Sequence, residues 1–122
     1  MDKKILIVDD ETEYLVALKK ILHEFGYSVC ITVSSAQALD IIKAEKPDLV
    51  LFDYKMPDMD GDAFLRKAKE LSPSIPYLLI TAWNDVSSLD RFKKLGVVDI
   101  ILKPINLEDL LKKIQDILRM DK

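Results

Sequence analysis

A single cysteine, Cys30, excludes an internal disulfide and is compatible with a reducing compartment; otherwise it reads as a small strand residue. Three glycines and five prolines are too few for a low-complexity or disordered segment. No apolar run approaches the length of a membrane-spanning helix. The run Ile5 to Val8 is also too short for a signal-peptide core, so the expected location is cytoplasmic, with no membrane partner. Positive charge is outnumbered: 18 Lys and Arg against 21 Asp and Glu leave a net charge of −3. Without a basic field to gather phosphates, direct nucleic acid binding is not expected. The one histidine, His23, lies a step off the apolar stripe of its helix, which marks a surface or boundary residue.

What is present describes a soluble globular chain of 122 residues, 49% hydrophobic and 32% charged, that forms one domain over 1–122 around its own core. Apolar runs rich in branched residues occur at Ile5 to Val8, Asp48 to Phe52, Tyr77 to Ile80 and Asp99 to Leu102, with a weaker one from Tyr27 to Val33. These read as five strands. Between them lie helical stripes: Leu15, Leu18, Leu22 and Phe25; Ala38, Leu39 and Ile42; Phe64, Leu65, Ala68 and Leu71; Leu89, Phe92 and Leu95. The last stripe, through Leu107, Leu110, Leu111, Ile114, Ile117 and Leu118, follows a natural N-cap at Asn106. Ser34 with Gln37 forms a capping-box pattern, and Gly26 and Gly96 are placed to close helices.

Strand and helix alternate strictly, so the fold class is α/β. A parallel sheet is covered on both faces by helices through right-handed crossovers. Five units are too few for an eight-stranded barrel. The expected architecture is an open doubly wound five-stranded sheet in the flavodoxin-like order 2-1-3-4-5.

Ligands of such sheets bind beyond the carboxyl ends of the strands, and the residues there form a pattern. The first strand ends in Asp9 and Asp10, the third in Asp53, the fourth in Thr81 and the fifth in Lys103-Pro104. Alone, each has a plain structural reading: an acidic helix cap, a β-branched strand residue, a lysine before a turn proline. Together they do not. Two carboxylates about 5 Å apart repel by about 3 kcal/mol at an effective dielectric of about 20, more than one lysine offsets for three acids. An all-oxygen cluster favours a hard cation, and an open site that must admit phosphate favours Mg²⁺ over Ca²⁺. A carboxylate can attack phosphorus when a metal, a lysine and a hydroxyl neutralise the developing charge. On that scheme Asp53 is the nucleophile, Asp10 a metal ligand, Asp9 a second acid that reaches the metal directly or through water, Lys103 clamps the phosphoryl group and Thr81 donates to it.

These residues, in the segments ILIVDDE, DLVLFDYKMPDMDG, ITA and LKP, resemble the response-regulator receiver family of bacterial two-component systems, of the chemotaxis-regulator kind. The resemblance covers nearly the whole chain. It implies that Asp53 is the phosphoacceptor, that the main-chain carbonyl of Lys55 completes the Mg²⁺ site, and that the Lys103-Pro104 peptide is cis. It implies as donor a sensor histidine kinase or histidine phosphotransfer protein, and an output surface on the fourth helix, fifth strand and fifth helix. It also allows a homodimer on phosphorylation. Such a receiver is a signalling phosphoacceptor that catalyses its own phosphoryl transfer and slow autodephosphorylation.

The chain departs from the family pattern at Ile100, where a Tyr or Phe usually turns inward with the threonine. Trp83 and Lys55 occupy the two positions that overlook the phosphoryl group in the family, and their bulk suggests slow attack by water; Trp83 also reads as a loop aromatic or partner contact. Asp58, Asp60 and Gly61 read as turn chemistry.

A haloacid-dehalogenase-type phosphatase needs a second acid two residues after its nucleophile, where this chain has Lys55. A flavodoxin-like electron carrier needs a phosphate loop rich in hydroxyls and glycine, where this chain reads VDDETE. The remaining alternative is a pseudo-receiver that binds partners without phosphorylation, which the full acid, Thr and Lys set opposes and Ile100 keeps open. The chain ends soon after the fifth helix, as expected of a stand-alone regulator or an excised receiver.

Overall fold

The computed structural model describes residues 2–82 and 86–120, with the side chains of residues 86–88 and 120 left aside. Strands β1 (Lys4–Val8), β2 (Ser28–Thr32), β3 (Leu49–Phe52), β4 (Tyr77–Thr81) and β5 (Asp99–Leu102) alternate with helices α1 (Thr12–Glu24), α2 (Ser35–Glu45), α3 (Gly61–Leu71), α4 (Val86–Leu95) and α5 (Leu107–Met120). All strand pairs are parallel, as the alternation predicts, and the order β2-β1-β3-β4-β5 is the flavodoxin-like one expected.

The period of two along each strand divides the core into two halves. Leu6, Val8, Val50, Phe52 and Leu79 face α2, α3 and α4, where they meet Ala38, Ile42, Phe64, Leu65, Ala68 and Phe92. Ile5, Ile7, Leu49, Leu51, Leu78, Ile80 and Ile101 face α1 and α5, against Leu15, Leu18, Leu22, Leu110, Ile114 and Leu118. β1, β3 and β4 are covered on both faces, which is why their sequences are continuously apolar. The edge strands β2 and β5 are only partly buried, and Cys30 on β2 is half-buried.

Helix ends show where local reading holds and where it does not. Gly26 and Gly96, at φ +94° and +107°, close α1 and α4 by the same paired bonds. Tyr27 N donates to Leu22 O and Gly26 N to His23 O, and Val97 N donates to Phe92 O and Gly96 N to Lys93 O. Asn106 Oδ1 accepts from Asp109 N at 3.1 Å and caps α5. The capping box at α2 is only half formed. Ser34 Oγ accepts from Gln37 N at 3.1 Å, but the Gln37 side chain accepts from Thr32 Oγ1, and Thr32 Oγ1 takes the Ser34 amide instead. The apolar stripes also stop short of two helix ends, because Phe25 and Leu71 are 55% and 44% exposed. His23 is exposed, as its position off the stripe predicts. No helix among the described residues is long and apolar enough to cross a membrane.

Candidate phosphoacceptor site

The sheet hydrogen bonds run on past the ends of the strands. Asp9 N donates to Thr32 O, Asp53 N to Val8 O and Lys103 N to Thr81 O, at 3.2, 3.1 and 2.9 Å. Asp9, Asp53 and Lys103 are therefore each held by a neighbouring strand's backbone before any side chain contributes.

Lys103 Nζ lies 2.9 Å from Asp9 Oδ2, 3.0 Å from Asp53 Oδ2 and 3.2 Å from Glu11 Oε1. The ammonium also lies 4.8 Å from the centre of the Tyr14 ring. The Lys103-Pro104 peptide is cis. Asp9 Oδ1 accepts from the Glu11 amide at 3.0 Å, and Asp53 Oδ1 from the Tyr54 amide at 2.6 Å. Asp9, Asp10 and Asp53 each offer a carboxylate oxygen, all within 4.8 Å of one another, with Asp10 on the exposed side. Glu11, Asp53, Lys55, Thr81, Ala82 and Lys103 line a cleft of about 250 Å³ above this cluster.

The electrostatics show a site short of positive charge. Burial pushes the Asp9 carboxyl above its ordinary 3.8, outweighing the hydrogen bonds from Lys103 and the Glu11 amide. Desolvation draws the Lys103 ammonium the other way, yet its hydrogen bonds to Asp9 and Asp53 prevail and hold its proton more tightly than in water. Both shifts run toward keeping a proton. Three carboxylates with oxygen donors only, open to solvent on one side and rimmed by a small cleft, fit a hard divalent cation such as Mg²⁺.

The structure thus brings Asp9, Asp10, Asp53, Thr81 and Lys103 to one edge, with Lys55 on the rim. Ile100 is set back: it is partly buried against the core under α2, α3 and α4. Trp83 lies outside the described residues. Sequence reasoning passed over three participants. Glu11 adjoins the acidic pair, and its strand-end place was a signal. Tyr14 falls one turn before Leu18 on the buried stripe of α1, which reads as core. Asp58 reads in the sequence as turn chemistry, yet its carboxylate caps another helix: it accepts from Ser35 N at 3.0 Å, Ala36 N at 2.8 Å and Ser34 Oγ at 3.0 Å. These bonds tie the β3–α3 loop to α2 and hold the Asp58 carboxyl below its ordinary value, the Ala36 amide foremost. With donors more than twenty residues away in the chain, that role has no local signature.

Comparison with known proteins agrees with this arrangement. The family model described as the response regulator receiver domain matches residues 5–115. Sporulation initiation phosphotransferase F of Bacillus subtilis is 34% identical over 110 residues, 90% of this chain and 89% of that protein. The transcriptional regulatory protein ZraR of Escherichia coli K12 is 38% identical over 106 residues; the match spans 87% of this chain but only 24% of ZraR. Among solved structures, a CheY-like response regulator receiver domain protein from Methanospirillum hungatei superposes with a TM-score of 0.95 at 37% identity, covering 99% of this chain and 97% of that one. The parallel sheet in the order 2-1-3-4-5, the strand-end acids with their lysine, and these matches lead to one assignment: the chain belongs to the response regulator receiver domain family of two-component systems.

Proposed function

We propose that residues 1–122 act as one phosphoacceptor unit of a two-component phosphorelay, with Asp53 as the acceptor. The observation that carries this reading is the Lys103 ammonium bridging Asp9 and Asp53 at 2.9 and 3.0 Å beside a third acid, Asp10. A sensor histidine kinase or histidine phosphotransfer protein presents phosphohistidine at the cleft. An Asp53 oxygen attacks phosphorus in line; the new P–O bond forms as the P–N bond to the imidazole breaks, leaving an acyl phosphate and the free histidine. Asp9, Asp10, Asp53 and the main-chain carbonyl of Lys55 would hold Mg²⁺. An ion bound there would offset the charge of the acids and of the phosphoryl oxygens.

Lys103 and Thr81 then take the phosphoryl oxygens. Thr81 and Lys103 end adjacent paired strands, so their movement shifts the surface formed by α4, β5 and α5, which an output partner or a second copy reads. The receiver supplies most of the transfer chemistry itself and loses the group slowly to water, with Lys55 at the cleft screening the approach. The pseudo-receiver reading rests on Ile100, an aliphatic side chain packed on the core in place of a switching ring.

Intact-mass spectrometry after incubation with acetyl phosphate tests the proposal. The expected result is a gain of one phosphoryl group in wild type, dependent on Mg²⁺ and absent in Asp53→Asn. Folded wild-type protein that gains nothing under any condition overturns the proposal in favour of the pseudo-receiver.

A further inference from the structure

Lys103 Nζ has a fourth neighbour besides its three carboxylates: the face of the Tyr14 ring, centred 4.8 Å away. Tyr14 stands in the first turn of α1 and packs on the core beneath α1 and α5, so its ring is part of a rigid wall. Its hydroxyl is buried and meets no hydrogen-bond partner among the described residues. A buried hydroxyl without a partner is a cost of this position, so hydrogen bonding does not explain a tyrosine here. Burial raises that hydroxyl to about 12, which keeps the ring neutral. What the tyrosine adds over an aliphatic residue is an electron-rich face turned to an ammonium shielded on three sides by acids.

We propose that Tyr14 is a positioning residue for Lys103: its ring holds the ammonium in the bridge between Asp9 and Asp53 and so opposes entry of a divalent cation on the same carboxylates. Ammonium and cation draw on the same carboxylates and repel each other, so whatever steadies the lysine there weakens the metal. The ring thereby sets how much Mg²⁺ the resting receiver needs. This inference rests on the reading of the acids as a cation site.

Two measurements separate the inference from that reading. In the first, Mg²⁺ is titrated calorimetrically into wild type, Tyr14→Phe and Tyr14→Leu, each with Lys103 intact and again with Lys103→Met. Tyr14→Leu is expected to lower the Mg²⁺ Kd by about threefold to tenfold, as loss of a partly desolvated cation–ring contact implies. Tyr14→Phe, which keeps the ring, should stay near wild type. With Lys103→Met, the Leu substitution should change nothing, because its effect passes through the lysine. An unchanged Kd in Tyr14→Leu, or the same shift with and without Lys103, overturns the proposal.

In the second, which needs no metal and no variant, the ε-methylene protons of Lys103 are observed by NMR in the metal-free protein. Ring current from Tyr14 should move them upfield of the other lysines. An ordinary lysine shift overturns the positioning role. If Mg²⁺ fails to bind wild type while the upfield shift is present, the cation reading falls and the Tyr14–Lys103 contact stands.

Discussion

Lys103 Nζ and Asp9 Oδ2 are 94 positions apart in the chain and 2.9 Å apart in space, with only 14% and 3% of their side chains exposed. A charge pair this sheltered is strongly coupled to what surrounds it. Lys103→Met would leave Asp9 and Asp53 facing each other with no cation, and should destabilise the metal-free protein by about 2 kcal/mol, below the cost of breaking a fully buried pair. Saturating Mg²⁺ should recover most of the loss. Urea unfolding with chelator and with Mg²⁺ measures both; equal losses in the two conditions would show that the lysine does not serve as counter-ion to these acids.

Asp58 makes a prediction in pH. Its carboxyl is held below 3.8 by the Ala36 and Ser35 amides and the Ser34 hydroxyl, so the ionised form favours the folded state. That contribution is full above 3.8 and is lost as pH falls through the lowered folded value. Asp58→Ala should cost about 1 kcal/mol at neutral pH, as loss of a helix cap does. The gap between wild type and variant in a stability-against-pH series should narrow in acid; a gap that stays constant there contradicts the cap.

Gly61 predicts a steric effect on the acceptor. A Cβ on Gly61 would lie 2.8 Å from Tyr54 Cα and 3.2 Å from the Asp53 carbonyl oxygen, both backbone atoms that cannot swing aside. Gly61→Ala should lower stability by about 1–3 kcal/mol, as overpacking does, and slow phosphorylation by acetyl phosphate. Thermal unfolding and mass-detected phosphorylation read the two effects.

Thr81 is 2% exposed at the end of β4, beside Lys103 across the β4–β5 pair. Thr81→Ala should still accept phosphoryl on Asp53 while the amide shifts of α4 and β5 respond much less than in wild type. Normal phosphorylation with a full shift response would remove Thr81 from the coupling.

Lys55 lines the cleft over Asp53 with its side chain in solvent. Lys55→Ala should open the approach for water and shorten the lifetime of the acyl phosphate severalfold, followed by mass spectrometry after the donor is removed. An unchanged decay rate would show that the side chain does not screen the bond.

The legible parts of this protein are those that short stretches of chain decide. The continuous apolar runs of β1, β3 and β4 announce strands covered on both faces, and glycines at 26 and 96 announce helix ends because only a residue without Cβ enters that backbone region freely. The end of α2 carries no such mark: Lys46 takes a left-handed φ of +48° before Pro47, a conformation that nothing in its residue type foretells. At the site, Asp9, Asp10, Asp53, Thr81 and Lys103 were legible because parallel strands all end on one edge, so a list of strand ends is already a list of neighbours.

The sequence by itself determined the alternation of elements and the residues at the carboxyl ends of the strands, since hydrophobic period and chain direction are local properties, whereas the order of the sheet belongs to the packed fold. Only the tertiary structure decided which partner each side chain found. Lys103 met Glu11 and the Tyr14 ring as well as Asp9 and Asp53, and Asp58 met the start of α2. Those choices depend on how far loops from different units approach in space, and on which charges burial leaves short of counter-ions. Neither quantity exists until the helices have packed on both faces of the sheet.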